Sequence, residues 1–271
     1  MLVPRTLCYA FVISLFCVSL AAQQPAATPT PAPSQRDPQA VALVQRAVIA
    51  MGGAAPSDST ATGTVTIVAG SKTSTGTIHV LTRGTSQTAE QITADAETSS
   101  VTFSDGLAAT DVGSGPTQLP LEATYTRRSA IFPLPLLAGM LSNPDTACQY
   151  LGADSVGGAQ AQHVRVWDTF ASTPYLRTIS EYTAFDFWFD PSSGLPLKAS
   201  YEQRDAGGSA PKLLMDLQYS DWKSLGSIKY PSSVLKSVNG TPWITITLQK
   251  VQLQTGLTDN NFPVGQTPEV Q

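Results

Sequence analysis

Histidine and cysteine are almost missing from this chain, with two of the first and three of the second in 271 residues. His79 and His163 each sit in the middle of an alternating run, with no second His, Cys or carboxylate beside them at metal-ligand spacing. That pattern predicts surface or edge-strand histidines, no metal centre and no cofactor. Charge is scarce as well. Only 13% of residues are charged and the formal net charge is −4, so no basic surface exists to neutralise a phosphate backbone, which excludes nucleic acid as a partner. With 42% hydrophobic residues the chain is nevertheless too apolar to stay disordered.

The N-terminus carries an address. "MLVPRTLCYAFVISLFCVSLAA" has Arg5 in a short basic start, an uncharged apolar run from Leu7 to Leu20, and small residues at Ser19, Ala21 and Ala22. Residues 1–22 therefore read as a cleaved secretory signal, with an uncleaved inner-membrane anchor as the alternative. Cys17 follows "SLF" rather than a small-residue cut site, so no lipid attachment is expected. Cleavage removes Cys8 and Cys17, leaving Cys148 without an internal partner. Residues 23–36, "QQPAATPTPAPSQR", cannot form a core and read as an extended linker. A single domain is expected over 37–264, with 265–271 as a tail.

The folded part opens with a helix. Asp37 serves as N-cap, Pro38 takes the first helical position, Gly52 and Gly53 form the stop, and Val41, Val44, Val48 and Met51 recur at helical spacing. From there the period becomes two. Val65 and Ile67, Ile78 and Val80, and Val101 and Phe103 form a meander. Phe185, Phe187 and Phe189, then Met215, Leu217 and Tyr219, then Ile228, Tyr230 and Val234, then Ile244, Ile246 and Leu248 continue it with bulkier groups. "DPSSGLP" at 190–196 and Asn239-Gly240 supply turns. The latter is also part of a glycosylation sequon, but the hairpin accounts for it better, and Pro242 follows. Roughly twelve strands and two helical regions are expected, in a mostly β (α+β) chain built on one large, strongly curved antiparallel sheet.

Between the two sets of strands lies "IFPLPLLAGML" (131–141), without a charge or a side-chain donor. It is too short to cross a membrane, and Pro133 and Pro135 predict a pair of short helices broken at the prolines. So apolar a segment must lie on the concave face of the sheet, either as a fixed plug or as a movable lid. Groups at catalytic spacing are scarce. "ADSVG" (153–157) resembles a nucleophile elbow, but a turn and a strand follow, so Ser155 reads as a turn residue. Asp105, Asp111, Asp186 and Asp190 form no spaced carboxylate pair, and "GSKTSTG" (70–76) has no helix behind it to cradle phosphate.

The order of signal, capped helix ending "AMGG", meander, Pro-rich apolar segment and long closing strands with "VQLQTGLTDNNFPV" (251–264) resembles the periplasmic LolA/LolB-like outer-membrane lipoprotein-sorting family. The resemblance implies an open half-barrel, closed by the N-terminal helix and the short helical lid, with a hydrophobic cavity for acyl chains. It makes Ile131, Phe132, Leu134, Leu136, Leu137, Met140 and Leu141 lid residues, and Phe185, Phe187, Phe189, Met215, Leu217, Tyr219 and Ile246 cavity residues. It implies a monomeric, non-enzymatic carrier of lipid or lipoprotein acyl chains, with an inner- or outer-membrane protein as a further partner. The family's lid-locking arginine has no assignable position, though Arg127 and Arg128 lie near the lid. An envelope protein-binding or stress-sensor module of the same fold is the alternative, and an esterase-like hydrolase ranks last. The export reading predicts a mature N-terminus at Ala22 or Gln23. Intact-mass measurement of the exported protein checks it, and Met1 retained in the membrane fraction would refute cleavage.

Overall fold

The computed structural model describes residues 35–204 and 212–265. The expected signal, the linker up to residue 34 and the tail beyond Gly265 lie outside them. Helix α1 spans Pro38–Met51 as predicted. Asp37 Oδ1 accepts from Gln39 N at 2.8 Å, and Gly52 ends the helix with φ 131°. Ala40 and Ala47 join Val44, Val48 and Met51 on the buried face, whereas Val41 is only half-buried.

Among the described residues thirteen strands form one antiparallel sheet: β1 Asp58–Ala69, β2 Lys72–Arg83, β3 Gln87–Ala94, β4 Glu97–Ser104, β5 Leu107–Asp111, β6 Thr117–Gln118, β7 Thr146–Val156, β8 Ala159–Asp168, β9 Phe185–Phe189, β10 Pro196–Gln203, β11 Leu213–Leu225, β12 Ile228–Val238 and β13 Thr241–Leu253. Every neighbour in the sheet is a neighbour in sequence except one pair, β1 with β13. The chain is thus two meanders joined at their first and last strands, which leaves β6 and β7 as the edges. Asn239 and Gly240 take φ of 49° and 78° between β12 and β13, the doubly left-handed turn that suits the twist of a hairpin. At the seam a register shift falls between Thr62 and Gly63. A Cβ on Gly63 would sit 2.1 Å from the Thr247 carbonyl oxygen, so the bulge requires glycine.

Residues 119–145 run from one edge of the sheet to the other. They hold α2 (Leu121–Thr124), a 3-10 turn (Tyr125–Arg127) and α3 (Pro133–Ser142). The expected break at the prolines does not occur, and α3 is continuous. Pro133 and Pro135 fall in its first turn, where the helix needs no N–H from them, so they start the helix instead of interrupting it. A ten-residue 3-10 segment, Pro174–Thr183, was also not expected. Only Ile179 and Thr183 are buried in it, too few to leave a periodic signal.

The inner face of the sheet and the inner faces of α1 and α3 make one core. Phe187 lies between Phe185 and Phe189 with ring centroids 5.9 Å apart on each side. Asp186 and Trp188 alternate to the outer face, directly opposite Arg165 and His163 of β8, as the period-two reading requires. His163 lies on this outer face too, but with a carboxylate partner that local spacing does not show. It sits on the second strand in from the β7 edge, stacks on Trp188 at 4.2 Å, and has Asp186 Oδ1 at 2.9 Å. Its carboxylate partner comes from the next strand in the sheet, 23 residues away, so local spacing could not show it. Because Phe187 is fully buried, Phe187→Ala is expected to lower unfolding free energy by about 3–5 kcal/mol. Chemical denaturation should show a lower midpoint with an unchanged slope.

Candidate functional site

The predicted lid and cavity residues meet. Ile131, Phe132, Leu134, Leu136, Leu137 and Met140 are buried and Leu141 is half-buried. All pack in the same cluster as buried Phe185, Phe187, Phe189, Met215, Leu217, Tyr219 and Ile246. The side chains of α3 point into the concavity because its composition leaves no polar face: within Pro133–Ser142 only Ser142 carries a side-chain hydrogen-bonding group. Beside it, Phe132, Pro133, Leu134 and Pro135 also line a small apolar recess with Ile228 and Leu253.

A polar patch lies within this apolar interior. Lys236 of β12 and Glu90 of β3 form an ion pair at 2.8 Å, with side chains 11% and 13% exposed. Ser129 Oγ donates to the other oxygen of Glu90, and Tyr219 OH donates to the Ala130 carbonyl at 2.8 Å. The residues immediately before α3 are therefore tied to the floor of the half-barrel. Burial opposes the charge on Lys236, but Glu90 outweighs it and holds the ammonium above its ordinary pKa. Burial pushes the Tyr219 hydroxyl well above its usual range, which keeps it a donor. Local spacing in the sequence cannot show the pair, because its members are 146 residues apart. One signal was present: Lys236 keeps the inward phase of Val234, so a charge was aimed at the core.

The other candidates are held by contacts of their own. Arg127 Nη2 donates to the Arg204 carbonyl at 3.2 Å, and Arg128 Nη2 to Asp168 at 2.5 Å. Ser155 lies within β7 opposite Gln160, not in the turn itself. Asp190 accepts from Ser192 and Ser193 in its turn, and these bonds lower its pKa to about 2. Asp111 binds the amides of Gly113 and Gly115. Asp105 accepts from Ser86 Oγ at 2.5 Å. Cys148 is buried and free, its thiol pushed up by burial. Among the described residues, no three His, Cys, Asp or Glu side chains converge to hold a metal.

No family model and no curated protein matches the sequence. Solved structures do. A domain from Vibrio parahaemolyticus named for outer membrane lipoprotein sorting superposes with TM-score 0.55 at 13% identity, over 83% of this chain and 96% of that one. A LolA superfamily protein from Nitrosomonas europaea gives 0.53 at 14% identity, over 83% and 97%. The fold is LolA-like. A DUF1329 family protein from Desulfovibrio piger shares it, with TM-score 0.54 at 12% identity over 85% and 98%. In this LolA-like half-barrel the ion pair under α3 makes a specific claim about energetics. Lys236→Met alone strands a buried carboxylate and is expected to cost about 3–5 kcal/mol, whereas Lys236→Met with Glu90→Gln should recover most of that. A double-mutant cycle by denaturation measures the coupling.

Proposed function

We propose that this chain is a non-enzymatic carrier in the bacterial periplasm, which takes acyl chains of lipids or lipoproteins into its half-barrel in place of α3. One observation carries the reading: all thirteen strands pair with one another without help from residues 119–145. Lifting α3 out therefore breaks no rung of the sheet. It uncovers a concave surface floored by Phe185, Phe187, Phe189 and Leu217, and burial of an acyl chain there contributes about 0.8 kcal/mol per CH₂. The likeness to a domain named for outer membrane lipoprotein sorting and to a LolA superfamily protein supports the same reading through the fold alone.

A second reading, a module that binds an envelope protein, has its own support on the outer face. There Trp188, His163, Arg165 and Lys198 form a charged and aromatic surface. Native mass spectrometry of the purified mature protein, followed by organic extraction, separates the two. Lipid released on extraction favours the carrier, and a bound polypeptide favours the module.

Leu137, fully buried, tests whether α3 moves. If α3 is a lid, Leu137→Asp leaves the sheet signal in circular dichroism intact, with the melting temperature lower by a few degrees (about 2–4 °C per kcal/mol). Uptake of a fluorescent fatty acid should fall about tenfold, because the charge then faces the bound chain. Loss of the sheet signal would make α3 a fixed plug.

A further inference from the structure

Along α3, between Leu136 and Asn143, lies a cleft of about 350 Å³. It is walled by the β2–β3 and β4–β5 hairpin tips, the 3-10 turn and the chain after β8. Its size falls within the range of small-molecule sites. We propose that this cleft binds the anionic head, carboxylate or phosphate, of an amphiphile whose chain continues toward the seat of α3. The inference deepens the carrier reading and rests on it for the destination of the chain.

Arg128 supplies the charge. Its guanidinium lies 4.9 Å from the centroid of Tyr125 and 5.6 Å from that of Phe103, which fixes its plane. Asp168 takes one corner, through Nη2, and is itself satisfied by Asn143 Nδ2 at 3.1 Å and Thr146 Oγ1 at 2.9 Å. Nε and Nη1 have no hydrogen-bond partner among the described residues, and the side chain, 14% exposed, lines the cleft. A planar guanidinium with open donors suits a carboxylate or phosphate. The facing carboxylate at the rim, Asp105, is already engaged by Ser86 and Gln87.

Two further observations point to a built site. Phe170 holds φ at 50°, a left-handed conformation that is an outlier for a bulky residue, while its ring meets Tyr125 edge-on at 5.3 Å. Leu136 and Met140 line the cleft and also belong to the main core. These two side chains separate the cleft from the interior, and a chain attached to a head at Arg128 would reach the seat of α3 by displacing them.

The test uses the full mature protein and NMR of the Arg128 Nε–Hε resonance, titrated with decanoate, decyl phosphate, acetate, inorganic phosphate and decyltrimethylammonium. We expect the two decyl anions to shift that resonance saturably and at lower concentration than acetate or phosphate. Decanoate and decyl phosphate separate the two head chemistries. Arg128→Gln should weaken decanoate binding about tenfold, the loss of one charge-assisted hydrogen bond. Should that variant fail to fold with Asp168 left unpaired, Arg128→Gln with Asp168→Asn replaces it, and the resonance shift in the parent protein needs no variant. An unmoved resonance, equal binding by the variant, or tighter binding of the cation would each overturn the proposal. If the resonance stays still but lipid is extracted from the purified protein, only the head site is wrong. If it shifts while no long-chain probe enters, the anion site stands and the carrier reading falls.

Discussion

The pairing of β1 with β13 is the constraint on which the rest depends. Nine rungs, from Ser59 with Leu253 to Ile67 with Ile244, join the two meanders. Once first and last strands are neighbours, the middle of the chain must supply both edges, β6 and β7. The 119–145 connection has then to cross from edge to edge, over the concave side. Its apolar residues are delivered to the mouth by topology, and the seam bulge at Gly63 adds local twist to the strand beneath it.

That delivery makes α3 and any apolar guest competitors for one surface. The side chains of Leu134, Leu136, Leu137 and Met140 already satisfy the interior, so an acyl chain gains only the difference between its own burial and theirs. Affinity for a guest is therefore set by how easily α3 leaves as well as by the floor it uncovers. Besides that apolar burial, polar contacts resist departure, among them Ser129 with Glu90, Tyr219 with the Ala130 carbonyl, and the Arg36 guanidinium on the Leu141 carbonyl at 3.1 Å. Arg36 itself is bridged to Cys148 on the β7 edge, so the last residues of the expected linker are part of the fold.

The two faces of the sheet divide the labour. Inside, alternation places aromatic and aliphatic groups in continuous rows. Outside, the same strands carry compensated charge, with Arg165 gripping Asp186 through two bonds of 3.0 and 2.7 Å, and Lys198 both paired with Asp216 and set over Trp188. Only the Arg165 end of these pairs is well exposed, and Asp186 and Asp216 are largely shielded. The value of the pairs lies in keeping a thirteen-stranded sheet from presenting an apolar back to its surroundings.

What the amino-acid order determined by itself is local. Period-two alternation set which residues of β9, β11 and β13 face inward, because the pleat repeats every two residues wherever the strand lies. Asp37, Pro38 and Gly52 marked α1 because capping involves only neighbours. Asn239-Gly240 specified its turn through φ preferences alone. The strand-rich curved sheet and the two groups of apolar residues were legible for the same reason. What tertiary structure decided are the relations between distant residues: Glu90 with Lys236, Arg128 with Asp168, His163 with Asp186. The continuity of α3 through its prolines belongs here too, since whether a proline breaks or begins a helix depends on where the first turn falls, and packing against the half-barrel sets that position. A charge pair or an aromatic-walled cleft has no period, and only the folded sheet brings its parts within reach.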